Sequence, residues 1–259
     1  MRQWMVLYRK EMLEMSRNYK WIWVPLVFIL LGIMQPVMFY FMPEILQSAG
    51  NLPEGTVIDI PLPSGGEVLM QTLSQYGTMG LLVLVLSMMS VVSGERNSGV
   101  IELILVKPVS YIKFITAKWV GMLTITTISF MLGYLGAWYY TMQLIGSVPI
   151  GNVVSSLLYY LLWLFLIVSV TLLTSTIFRS IGATAFVTLG SAALLTILTG
   201  LLSRVLAWSP SRLSELAGLS AMGSPIDAPI GGNLTITILC IAICLVLSVY
   251  TLRNKQSLT

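Results

Sequence analysis

Glu95, Ser98 and Glu102 recur at intervals of three and four residues, so a helix through them carries both carboxylates on one face. Val100, Ile101, Ile104 and Leu105 cover much of the remaining surface. Pro108 then interrupts the helix, because it lacks an amide donor and disfavours helical geometry at Lys107. A second short amphipathic piece, about 110–118, follows with Lys113 and Lys118. Carboxylates and ammonium groups at this spacing have the chemistry of ion pairing and recognition. Two partners fit: a lipid surface touched by the lysines, or a soluble protein gripped by the acidic face. Anionic head groups would repel Glu95 and Glu102, which argues against lipid as the sole partner.

Bond-making chemistry is poorly supplied elsewhere. The chain has no His, so metal sites built from His and carboxylate clusters are not expected. The Ser and Thr residues of the apolar runs have no base to activate them as nucleophiles, and their hydroxyls are expected to bond the preceding helical turn. None of the six lysines follows a Gly, and a P-loop needs Gly-Lys so that backbone amides can cradle phosphates. No cofactor is expected on this chain, and any ATP must be used by another subunit. Cys240 and Cys244 stand one helical turn apart in an apolar run, where a pair of small buried hydrophobes is a better reading than a metal or redox site.

The elements that must hold the 93–118 segment follow from composition. Charged residues make up 9% of the 259, against about a quarter in an ordinary soluble domain. A spanning helix needs about 20 mostly apolar residues. Six runs without Asp, Glu, Lys or Arg have roughly that length: 21–42, 76–93, 119–141, 153–178, 181–203 and 233–252. The fold class is therefore an all-α integral membrane protein of six transmembrane helices, with residues 1–259 forming a single domain. The N-terminal arm carries Arg2, Arg9, Lys10, Arg17 and Lys20, whereas loop 43–75 has four acids and no base. Twelve of the 14 basic residues fall on one side, which the positive-inside rule makes cytoplasmic, with both termini inside. The net charge of +4 thus expresses topology, and no nucleic-acid partner is implied. The first apolar run is as long as a full span and no A-x-A site follows it, so a cleaved leader is not expected.

Within the arm, Trp4, Tyr8, Met12, Met15 and Tyr19 repeat at helical spacing while Lys10, Glu14 and Arg17 share another face. This predicts an amphipathic helix over 1–20 lying in the interface plane. Loop 43–75, with four prolines up to Pro63 and the pair Gly65-Gly66, predicts an irregular external cap. Loop 204–232 is apolar enough to hold a short re-entrant helix, and an ordinary external loop fits equally well. Thr184, Thr188, Ser191 and Thr199 line one face of the fifth span, where helix packing is the first reading and a substrate path the second.

The pattern Glu95-x3-Gly99-x2-Glu102-Leu103-x4-Pro108-Val109-Ser110, ending in Lys118, resembles the signature of ABC-2 type transporter permeases. Arg9-Lys10-Glu11 followed by Arg17 is similar to that family's pattern before its first span. Val100, Tyr111 and Ala117 depart from the family's usual Thr, Arg and Gly, which leaves Lys107 or Lys113 as the base that meets a partner. The resemblance implies that the segment between spans two and three is a coupling helix, docked in a separate ABC ATP-binding subunit beside the N-terminal helix. It implies a permease subunit in the cell membrane, that of a prokaryote, working with a second copy or a similar chain as an ATP-driven exporter. The alternative is a non-transporting membrane anchor or scaffold for a cytoplasmic partner.

Overall fold

The computed structural model describes residues 2–49, 63–99, 110–202, 204–225 and 230–256. The described residues form helices joined by short turns, with no strand, and a helix satisfies its own backbone groups in a medium that offers them no water. Helix α1 (Arg2–Arg17) turns at Tyr19, whose φ of 54° is left-handed, into α2 (Lys20–Ala49). Then come α3 (Gly65–Gln75), a π-helical turn (Tyr76–Gly80), α4 (Leu81–Met88) and α5 (Ser93–Asn97). The chain continues through α6 (Tyr111–Leu144), α7 (Ile150–Ile177), α8 (Ile181–Leu201), α9 (Arg212–Met222) and α10 (Ile230–Gln256). Six stretches among the described residues are long and apolar enough to cross a membrane.

The predicted spans are all present, but two begin two or more helical turns before their charge-free runs. The second starts at Gly65 instead of Tyr76, because Ser64 accepts the Glu67 amide and the Glu67 carboxylate accepts the Ser64 amide. That capping box starts a helix inside the segment expected to be an irregular cap, and α2 runs through Pro43 as well. Only 50–62 of that segment lie outside the described residues. The third span starts at Tyr111, so the piece about 110–118 is its first two turns. At 34 residues α6 is roughly 50 Å long, well beyond the hydrocarbon thickness, and Lys113 and Lys118 sit near its protruding end.

The core is built where α2 and α6 cross. A Cβ on Gly32 would stand 2.2 Å from the Gly133 carbonyl oxygen, and one on Gly133 would stand 2.5 Å from that of Phe28. Glycine at both positions lets the backbones meet. Tyr76 donates across the crossing to the Phe28 carbonyl at 2.7 Å. Around it Phe28, Tyr76, Phe130, Tyr134 and Tyr160 form a continuous aromatic cluster, stacked except for an edge-on Tyr76–Phe130 contact, with centroids 5.0–5.5 Å apart. Helix α9, in the loop that sequence left open between helix and coil, packs against α3 and α7 through buried Leu213, Leu216 and Ala217. Gly223 ends it at φ 69°, a left-handed cap that glycine adopts without a Cβ penalty.

Candidate functional site

Three segments meet at one end of the bundle: α1, α5 and the start of α6. Helix α1 does more than rest at an interface. Trp4 donates from its indole nitrogen to Thr116 at 3.1 Å, Tyr8 pairs with Thr124 at 3.2 Å, and Met15 is buried. Gly121 of α6 makes room, since a Cβ there would touch Met12 at 3.2 Å and Glu11 at 3.4 Å. Met5, Val6 and Leu13 remain exposed on the other side, an apolar edge suited to lipid.

Helix α5 is pinned from the opposite direction by the end of α7. The amides of Val92 and Ser93 both donate to the Ser175 hydroxyl at 3.0 Å. Arg96 donates to the Thr176 carbonyl and Asn97 to that of Arg179, each at 3.1 Å. Gly99 takes a left-handed φ of 71°, which accounts for a glycine at that point of the motif.

Between these elements lies an ionic cluster. Glu11, Glu95 and Lys118 retain only 4%, 7% and 1% of their surface. The Lys118 ammonium donates to Glu11 Oε1 at 2.9 Å and lies 2.9 Å from Glu95 Oε2, a charge contact without hydrogen-bond alignment. It also sits over the Phe114 ring, 5.1 Å from the centroid. Lys10 bridges Glu11 at 3.1 Å, Glu14 at 3.0 Å and Glu95. Burial would push the Lys10 ammonium down, but the carboxylates of Glu11 and Glu95 hold it well above the usual lysine range. Burial would push the Glu14 carboxyl up, yet the Lys10 hydrogen bond and charge hold it below its ordinary value.

Oxygens of Glu11, Glu14 and Glu95 approach within 4.8 Å of one another, close enough for a hard cation. Lys10 and Lys118 already neutralise most of that charge. The arrangement is thus an ion-paired joint rather than a reaction centre. It binds the N-terminal helix and the third span to the residue that opens the 95–118 motif.

The residues singled out by sequence divide accordingly. Lys10, Glu11, Glu95 and Lys118 come together in the joint. Arg9 and Arg17 are exposed outside it, and Lys113 donates to Gln3 at 3.1 Å. Glu95 does not face the cytosol as the acidic-face reading required. Its carboxylate turns inward because two lysines there compensate its burial. Ser98 is exposed and donates to the Glu95 carbonyl at 3.2 Å. Glu102, Leu103, Lys107 and Pro108 lie outside the described residues.

On the fifth span, Thr184, Thr188 and Thr199 are buried in packing and Ser191 is exposed. Thr188 meets Thr174 at 2.8 Å, and Thr199 donates to Ser209 at 2.8 Å. Sequence reasoning missed Ser175, whose role depends on a contact 82 residues away and leaves no local signal.

Apolar helices with most of their charge gathered at one end define a multi-pass membrane protein. The chain belongs to the ABC-2 transporter family: the family described as ABC-2 family transporter protein matches residues 5–257. It is also similar to a protein of Bacillus subtilis (strain 168) named "Uncharacterized transmembrane protein YxlG". The two are 37% identical over 257 residues, which cover 99% of this chain and 100% of that protein. Family membership gives it a permease role as a transmembrane transport subunit.

Proposed function

We propose that this chain is the permease of an exporter driven by a separate ATP-binding subunit, which docks at the segment following Glu95 beside α1. The observation that carries this reading is the buried joint of Lys10, Glu11, Glu95 and Lys118. A segment that only rested on lipid would have no need of two buried carboxylates, each of which costs several kcal/mol to desolvate unless paired. A segment that must pass a push from a soluble ATPase to the spans needs a stiff attachment at its root. In this reading the end holding the joint is cytoplasmic, in accord with the twelve basic residues that the sequence assigns to one side. Two copies, or this chain and a similar one, enclose the pathway, and the membrane is the plasma membrane of a prokaryote.

The reading is tested by co-expressing the chain with P-loop ATP-binding subunits of the host and exchanging Glu102 for Lys. Like charge against a basic docking surface costs several kcal/mol where the contact is desolvated. The variant is expected in the membrane at normal levels, without co-purification of the ATPase or stimulation of its hydrolysis. Unchanged binding and hydrolysis in Glu102→Lys, with both abolished by a matched charge change in 50–62, would assign the segment to the lipid surface.

A further inference from the structure

We propose that a cavity at the opposite end of the bundle recognises a protonated amine carrying an apolar body, with Glu215 as its counter-ion. This inference rests on the transport reading for its purpose, since it names the class of cargo. The cavity, about 290 Å³, lies between α3, the π-helical turn, α8 and α9. That is close to the lower size of small-molecule sites. Met70 and Gly218 supply apolar wall, and a Cβ on Gly218 would stand 3.0 Å from Met70 Cγ, so glycine keeps the space open.

Most polar groups on the wall act as acceptors. Of its four hydroxyls, those of Thr78, Thr196 and Ser214 donate to carbonyls of their own chain: Gln75 at 3.1 Å, Ala192 at 2.9 Å and Ser211 at 2.7 Å. With their protons committed, these oxygens offer a ligand only lone pairs. Glu215 adds a carboxylate. Among the described residues it makes no hydrogen bond or ion pair, and no basic side chain lines the cavity. A donor-rich cation answers every one of these groups, whereas an anion finds only the Ser74 hydroxyl as a side-chain donor and meets the Glu215 charge. A divalent metal would want more than one carboxylate. Thr78 also stands in the π-helical turn, a feature that in helices often marks functional sites.

The test uses the full chain in phosphatidylcholine nanodiscs, whose zwitterionic surface adds no anionic site, and dansylcadaverine as a fluorescent primary amine. The wild type is expected to bind it saturably. Glu215→Gln, at an exposed position that folding does not depend on, is expected to bind about tenfold more weakly. Thr78→Phe, which fills the cavity from an exposed position, should abolish saturable binding. The N-acetylated probe has the same body without the charge and should not compete. Equal affinity in Glu215→Gln, or competition by the acetylated probe, overturns the assignment. Amine binding without any co-purifying ATPase would leave the site standing and remove the transport reading. ATPase co-purification with amine affinity indifferent to Glu215 would do the reverse.

Discussion

Replacing Lys118 by Met tests the joint where it is driest. Lys118 is 1% exposed and faces two carboxylates at 2.9 Å each, so the substitution keeps the apolar stem and removes a fully buried cation. Removing one partner of a buried pair costs about 3–5 kcal/mol, because the remaining charge is left uncompensated. Lys10 still contacts Glu11 and Glu95 from a side chain that is 34% exposed, which places the loss toward the lower end. At about 1.4 kcal/mol per factor of ten, α1 should detach roughly a hundredfold more often. Trypsin reads this out in nanodiscs, since cleavage at Arg17 follows the open population when reclosing is fast. Adding Glu95→Gln to Lys118→Met removes the stranded charge and should recover most of the protection. Wild-type cleavage rates in Lys118→Met, or no recovery in the double variant, would refute the claim that paired charge holds α1 in place.

Other consequences are separable from that one. Gly133→Ala places a methyl 2.5 Å from the Phe28 carbonyl oxygen and should cost about 3 kcal/mol or more through overpacking. Gly190→Ala, with nothing within 4 Å, should be neutral, and size-exclusion profiles after mild heating distinguish them. For pH, the lowered Glu14 stabilises docking above its ordinary value of 4.5, and that contribution is lost as pH falls through the lower folded value. The raised Lys10 stabilises below 10.5 and is lost as pH rises through its higher folded value. Spin-label distances between α1 and α6 should therefore be constant from about pH 5 to 10 and lengthen below it. Reporter fusions after Leu52, Gly146 and Ser220 should read external, and those after Lys113 and Thr259 internal.

The spans were legible because exclusion of charge from hydrocarbon is a strong one-dimensional signal. Its weakness is at the ends, where charge is tolerated. Glu67 seemed to bar α3 from the membrane helix, although Ser64-x-x-Glu67 is a helix start visible in sequence. Lys118 likewise seemed to bound the third span, whereas α6 extends past it because Glu11 and Glu95 neutralise it. Helical spacing did place Glu95 and Ser98 near one another on the same short segment. It did not reveal which way Glu95 points, since that depends on Lys10 and Lys118, 85 residues and 23 residues distant in the chain. Thr184, Thr188 and Thr199 are buried while Ser191 on the same predicted face is exposed; the threonine hydroxyls bond the preceding turn and so add little polarity to a helix surface.

The position of the joint bears on how a push from outside the membrane would travel. Glu95 is four residues from Gly99, so in the proposed reading a push arriving at Gly99 would meet Glu95 within little more than one helical turn. At Glu95 it divides. Through Lys118 it reaches α6, and α6 is locked to α2 at the Gly32–Gly133 crossing, where neither backbone has room to slide. Through Lys10 it reaches α1, whose Trp4 and Tyr8 hold the same α6 at Thr116 and Thr124, on either side of Lys118. Ser175 fixes the other side of α5 to the end of α7. A hydrophobic contact in place of the four charges would hold these helices together equally well and would let them slip. Ion pairs inside a low-dielectric end region have few alternative registers, so in the proposed reading they would pass a push on to the spans with little local rearrangement.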